Sequence, residues 1–328
     1  ASELIYILKD SNSILIITDK NRSHLLSSIK NQLESPVSFV YIEDFSKSLA
    51  PKEKAINKIN VTHKSESSLI YTSGTTGKPK GCILSHEYEL MCGDSYRSIG
   101  KPVALEINEE RIFNPLPSFH INAGVLTFFA CILTGNCMIQ PDRFSSKTWW
   151  RDIEETQATI FHYLGVVIAV LLKNKVEPQG KLTRLKLGLG AGIEPALHKI
   201  FEKKFKIPLI EVWGMTEMCR VIAANEEPRL IHTRAIGRPR ENLEIKVVDE
   251  NDKEVLPGFE GEMLLRYSEK HPRKGAFCGY LGKEIETENA WRGGWFHTGD
   301  TVIMDANKML YFVDRKKNII RRSGENIA

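Results

Sequence analysis

Short β-rich runs alternate with helix-patterned stretches along most of the chain, and this alternation restricts the fold more than any other feature. The segments SILIITD (13–19), SFVYI (38–42) and SLIYT (68–72) carry the branched and aromatic side chains that suit a pleated surface. A helical pattern follows from Ser85 to about Ser98. WWRDIEETQ then precedes ATIFHYL, and IEPALHKIFEKKF precedes PLIEVWG, the same helix-then-strand order. Pro195 near the start of the latter helix is tolerated, because first-turn N–H groups lack an intrahelical partner anyway. The pattern predicts an α/β architecture with largely parallel strands. After Gly237 the texture changes: LEIKVVDENDKEVLPGFEGEMLLRY reads as strand, polar turn, a Pro257-Gly258 turn, strand. An α/β core over 1–236 and a β-rich subdomain over 237–316 are therefore expected, with residues 43–66 as a polar surface connection.

The 328 residues are 42% hydrophobic, enough apolar mass for a sizeable core. Forty-five basic against 41 acidic side chains is too balanced to imply nucleic acid or a membrane surface as partner. Six cysteines show no C-x-x-C and no zinc spacing with the histidines, which fits a reduced, cytoplasmic protein. The longest apolar run, Ile160 to Leu172, is interrupted by His162 and too short to cross a bilayer, and no signal peptide is evident. The chain opens on Ala and stops at RRSGENIA without a closing pattern, so both ends read as cut.

The stretch YTSGTTGKPKG (71–81) places five hydroxyl-bearing side chains, three glycines and two lysines in a loop between apolar β-formers. Backbone N–H groups freed by glycine, hydroxyl donors and the charges of Lys78 and Lys80 suit a polyanion such as a triphosphate. It is not a P-loop, since only two residues separate Gly74 from Gly77, and Pro79 disfavours a helix running on from Lys78. The alternative for such a composition is a solvated Gly/Ser/Thr linker.

Further segments follow in fixed order: NPLPSFHI (114–121), LGAGIEPAL (189–197), EVWGMTE (211–217), GFEGEMLL (258–265), WFHTGD (295–300) and FVDRKKNIIRRSGENI (312–327). Together with the loop they resemble the adenylate-forming (AMP-binding) enzyme superfamily, acyl-CoA synthetase type, from about Ile70 to the end. PSFHINA and FVDRKKNIIRRSGENIA look most like the crotonobetaine/carnitine-CoA ligase branch. The resemblance implies a partial, large N-terminal domain of stacked α/β sheets plus a β-rich subdomain, with 317–328 as the hinge and first residues of a C-terminal lid domain that is otherwise missing. It also implies a two-step reaction. A carboxylic acid and ATP, with Mg²⁺, give acyl-AMP and pyrophosphate, and the thiol of coenzyme A then displaces AMP.

By that resemblance Thr72, Ser73, Gly74, Thr75, Thr76 and Lys80 hold the β- and γ-phosphates, and Thr216 contacts the α-phosphate. Glu217 holds Mg²⁺, a hard cation that takes oxygen ligands. Trp213, followed by Gly214 and Met215, stands where an aromatic residue, often Tyr, stacks on adenine. Gly190, Ala191 and Gly192 form the wall beside adenine, with Leu189 where a glycine is common and Gly192 where proline is common. Asp300 and Arg315 match the ribose-binding pair. His120 lies near the acyl carboxylate and thiol tunnel, and Lys317 falls at the hinge. Outside the motifs these residues would read as ordinary: a Trp after an apolar strand as core, a lone Glu as a solvated charge, a His after Phe119 as a satisfied core residue. Phe119, Ile121, Asn122, Val166, Val167 and Leu189 are candidate acyl-pocket positions. Since the lid's lysine is missing, the chain as given is expected to be a severely impaired catalyst. The rival readings are an adenylation domain that loads a carrier-protein thiol and a non-catalytic AMP/ATP-binding protein.

Overall fold

The computed structural model describes residues 2–30, 32–33, 37–45, 60–72, 78–174, 177–178, 180, 182–315, 320–322 and 325–327. The chain groups into two compact units, residues 1–62 and 63–328.

In the first unit, helix α1 (Ser2–Asp10) leads to strand β1 (Leu15–Thr18), helix α2 (Ser23–Lys30) and strand β2 (Ser38–Tyr41). The two strands pair in parallel, Leu15 opposite Ser38 through Thr18 opposite Tyr41, as a helical crossover between them requires. Leu8, Leu26 and Ile29 form the buried core, with Ile16 and Phe39 packed against it. Most of the expected connection at 43–66 lies outside the described residues.

The second unit opens with an antiparallel pair, β3 (Glu66–Thr72) and β4 (Lys80–Ser85), so the loop at 71–81 does join two strands. Ser85 then caps helix α3 (His86–Arg97) by accepting the Tyr88 N–H at 3.1 Å. Tyr88, Cys92 and Tyr96, at successive i, i+4 positions of α3, are all buried. Along the chain follow β5 (Arg111–Phe113), a π-helical turn at Asn122–Thr127 running into α4 (Phe128–Thr134), and β6 (Cys137–Ile139). Next come α5 (Trp149–Glu155), β7 (Ile160–Leu164), α6 (Gly165–Lys173), β8 (Leu187–Ala191), α7 (Pro195–Phe205), β9 (Leu209–Met215) and β10 (Met218–Ala223). The apolar run at 160–172 is thus a strand followed by a helix, and among the described residues no helix is long and apolar enough to cross a membrane.

These strands form a six-stranded sheet in the order β10-β9-β8-β7-β5-β6, parallel except for the edge strand β10. Period-two alternation divides its faces. Ile160, Leu187, Leu189, Ile210 and Val212 join the larger core, whereas Phe161, Tyr163 and Leu209 join an aromatic core with Trp149, Trp150 and Phe201.

The remaining part is β-rich: β11 (Ala235–Gly237), β12 (Glu244–Val248), β13 (Glu260–Arg266), β14 (Gly279–Tyr280), α8 (Glu284–Ala290), β15 (Phe296–Met304), β16 (Leu310–Arg315), β17 (Ile320–Arg322) and β18 (Glu325–Ile327). A five-stranded antiparallel sheet runs β11-β16-β15-β13-β12. The two-residue strand β14 does not join it. It pairs with β4 instead, Tyr280 opposite Cys82, and so extends the β3–β4 pair to three strands.

Candidate active site

Two sheets supply the centre of the site. Asp300 on β15 and Arg315 on β16 are register partners, and the Arg315 Nε donates to Asp300 Oδ1 at 2.5 Å. Asp300 is fully buried, and its other oxygen accepts the indole N–H of Trp213, from β9 of the six-stranded sheet, at 2.9 Å. A buried carboxylate needs such donors, because an unpaired charge in a poorly polarisable interior is costly.

Glu217, in the turn between β9 and β10, is buried as well, and its Oε1 accepts the Tyr280 hydroxyl at 2.8 Å. Burial pushes the Glu217 carboxyl above the ordinary carboxylate range; the Tyr280 bond and the Arg315 charge oppose this, while Asp300 adds to it. Glu217, Asp300 and Arg315 therefore share one electrostatic neighbourhood. Lys80, the first residue of β4, holds its Nζ 4.8 Å from the Tyr280 ring centroid, on the charge-attracting face of the ring. Thr72, opposite Lys80 in the register, donates through Oγ1 to the Lys80 carbonyl at 3.5 Å. Thr216 is buried, and its carbonyl accepts the Tyr88 hydroxyl at 2.8 Å. Gly214 is exposed and Met215 faces Met218 across the turn.

Gly190, Ala191 and Gly192 close β8. A side chain at Gly190 would meet the Tyr163 carbonyl at 2.1 Å, and Gly192 has φ +75, so the sequence has little freedom at either position. This turn is tied down by Glu211 of β9, whose Oε2 accepts the Gly192 N–H at 2.9 Å and whose Oε1 accepts the Tyr163 hydroxyl at 2.7 Å. His120 lies on another loop, after β5, with its ring centroid 4.6 Å from that of Phe119. Ser73, Gly74, Thr75, Thr76 and Lys317, the last expected at a hinge, lie outside the described residues.

Sequence reasoning missed Tyr280 and Glu211. Nothing local marks Tyr280, which reaches Glu217 from 63 positions away. Glu211 did carry a signal: a charge inside the apolar strand LIEVW belongs to a residue type seldom buried without partners.

Burial raises the Glu211 carboxyl to about 7, against the opposing bonds from Tyr163, Gly192 and Ile193 and the nearby His198. The folded-state value lies above the unfolded one, so the associated stability is fully present below about pH 4.5 and lost as pH rises through 7. The stability of wild type relative to Glu211→Gln is therefore expected to fall by a few kcal/mol between about pH 5 and about pH 8. Urea unfolding of both proteins at the two pH values measures this, and a pH-independent difference would contradict it.

Residues 1–279 match the AMP-binding enzyme family. The chain belongs to this family. Among its relatives, the 2-succinylbenzoate–CoA ligase of Bacillus licheniformis is 28% identical and the crotonobetaine/carnitine–CoA ligase of Proteus mirabilis 25% identical. Each alignment covers 99% of this chain but only 64% of the relative, so the chain spans less than two thirds of their length. The family fold is equally plain in three dimensions. The N-terminal domain of FACL13 from Mycobacterium tuberculosis superposes with a TM-score of 0.82 at 24% identity, covering 96% of this chain and 77% of that one. The α/β fold expected from the sequence, that of the N-terminal domain of acyl-CoA synthetase-like proteins, is thus the one observed.

Proposed function

We propose that this member of the AMP-binding enzyme family is the nucleotide-binding part of an ATP-dependent carboxylic acid–CoA ligase that acts through an acyl-adenylate. The observation that carries the reading is a pair of contact groups, Lys80–Tyr280–Glu217 and Trp213–Asp300–Arg315, close enough that Asp300 and Arg315 act electrostatically on Glu217. Together they supply a cation suited to phosphate, a carboxylate suited to a metal and a carboxylate–arginine pair suited to ribose hydroxyls.

Magnesium fits Glu217. Burial disfavours the ionised carboxylate, and a divalent cation beside it would offset that penalty while neutralising phosphate charge. Adenine would lie beside Gly190, Ala191 and Gly192, with Thr216 near the α-phosphate, Gly214 and Met215 beside it, and the hydroxyl-rich residues Thr72 to Thr76 on the outer phosphates. His120 would face the acid's carboxylate. The division into 1–236, 237–316 and 317–328, with Lys317 as hinge, belongs to the same reading, as does a cytoplasmic setting, supported by six free cysteines.

Coenzyme A as acceptor is supported by the names of the relatives, whose acids differ widely at similar identity. A crotonobetaine- or carnitine-like acid is one candidate within a range of small and medium acids. The full-length gene product should be given ATP, Mg²⁺, a panel of acids and either CoA or a phosphopantetheinyl carrier protein, with thioesters read by mass spectrometry. Acyl-CoA from one acid class is the expected result. Thioester on the carrier protein alone would overturn the acceptor.

A further inference from the structure

We propose that Trp213 is a positioning residue for the ribose carboxylate, acting through its indole N–H on Asp300 and not only through the face of its ring. The proposal rests on the reading of Asp300 as the group that accepts the ribose hydroxyls.

The geometry is that of a preset acceptor. An ionised carboxylate offers about two lone-pair directions on each oxygen. Arg315 Nε takes one on Oδ1 at 2.5 Å, and Trp213 Nε1 takes one on Oδ2 at 2.9 Å, which leaves a direction on each oxygen for the two hydroxyls of a ribose. A second Arg315 contact, from Nη2 to Oδ2 at 3.4 Å, is long enough to yield to a ligand. The two anchors differ in freedom. Arg315 ends its strand with a side chain 29% exposed, whereas Trp213 is 6% exposed and lies within the larger core. The indole therefore holds the carboxylate plane from a fixed frame, while the more exposed guanidinium is the less confined of the two anchors. The Asp300 backbone is set separately, its N–H donating to Thr298 Oγ1 at 3.0 Å. What Trp213 adds is control of the carboxylate's rotation about its own side-chain bond, which a ring without an N–H at this place does not supply.

The test compares AMP with 2′,3′-dideoxy-AMP by calorimetry, on the whole chain as wild type and as Trp213→Phe. Both nucleotides carry the same base and phosphate, so the ratio of their affinities isolates the hydroxyl contacts. Wild type is expected to prefer AMP, and Trp213→Phe to reduce that preference roughly tenfold, the usual weight of a hydrogen bond to a charged group. Loss of ring stacking alone would weaken both nucleotides equally and leave the ratio unchanged, which would overturn the proposal. A wild type without preference for AMP would instead overturn the underlying reading of Asp300. If Phe leaves too large a void for folding, β-(3-benzothienyl)alanine at 213 keeps the shape of tryptophan with sulfur in place of the N–H, and the same ratio decides.

Discussion

Replacing Asp300 by Ala is expected to lower AMP affinity by at least ~100-fold and to cost about 3 kcal/mol or more in stability, the usual loss when one partner of a buried charge pair is removed. Three donors converge on this fully buried side chain, and all lose their acceptor together. Arg315 would keep its charge without the counter-charge 2.5 Å away, and the Trp213 N–H would be buried with nothing to accept it. Asp300→Asn separates the two effects. It preserves shape and one acceptor oxygen, so much of the stability should return while AMP binding stays weak. Calorimetry with AMP and chemical unfolding of both variants measure the two quantities. AMP binding that survives Asp300→Ala would remove the carboxylate from the nucleotide site.

The second large effect is expected at Trp149 of α5, far from any polar chemistry. Its ring meets Phe113 at 5.3 Å, Phe161 at 5.4 Å and Phe144 at 5.6 Å, all edge to face, and it is 1% exposed. Trp149→Ala should cost about 3–5 kcal/mol, since aromatic cores combine a large buried area with favourable ring geometry and collapse poorly around a void. Trp149→Phe should cost far less. Among the described residues the Trp149 N–H has no acceptor, so removing it breaks no hydrogen bond and relieves an unsatisfied donor. Thermal unfolding checks both, with an expected fall of roughly 10 °C for the alanine variant. Equal losses from Ala and Phe would contradict this account of the cluster.

What was legible in the sequence was what depends on near neighbours. The strand-then-helix alternation followed from period 2 and period 3.6 patterns, and it yields the parallel strands of the central sheet. Ser85 as a helix boundary, Pro195 in a first turn and Pro257-Gly258 between strands are local chemistry, and the elements start and stop there. Pairings between distant segments were not legible. The strand Gly279–Tyr280 is too short for any pattern and exists because it pairs with Ile83 and Cys82. The π-helical turn at Asn122–Thr127 has no periodic signature, and the hydrogen bonds from Asn114 to Asn122 and from His162 to Asn122 join residues read only singly. At the site, motif order marked Trp213, Glu217, Asp300 and Arg315 individually. The bonds from Tyr280 to Glu217 and from the Trp213 indole N–H to Asp300 depend on how three sheets meet, which composition and spacing do not encode.

The most direct test of the proposed adenylation chemistry is ATP–pyrophosphate exchange by the full-length gene product across acids from acetate through medium-chain, aromatic and carnitine-like compounds. The expected result is Mg²⁺-dependent exchange with one acid class, reduced at least ~100-fold by Glu217→Gln, a loss in the range seen when an electrostatic group acting on the transition state is removed. ATP binding without exchange for any acid would contradict the account and leave a nucleotide-binding protein without adenylation chemistry.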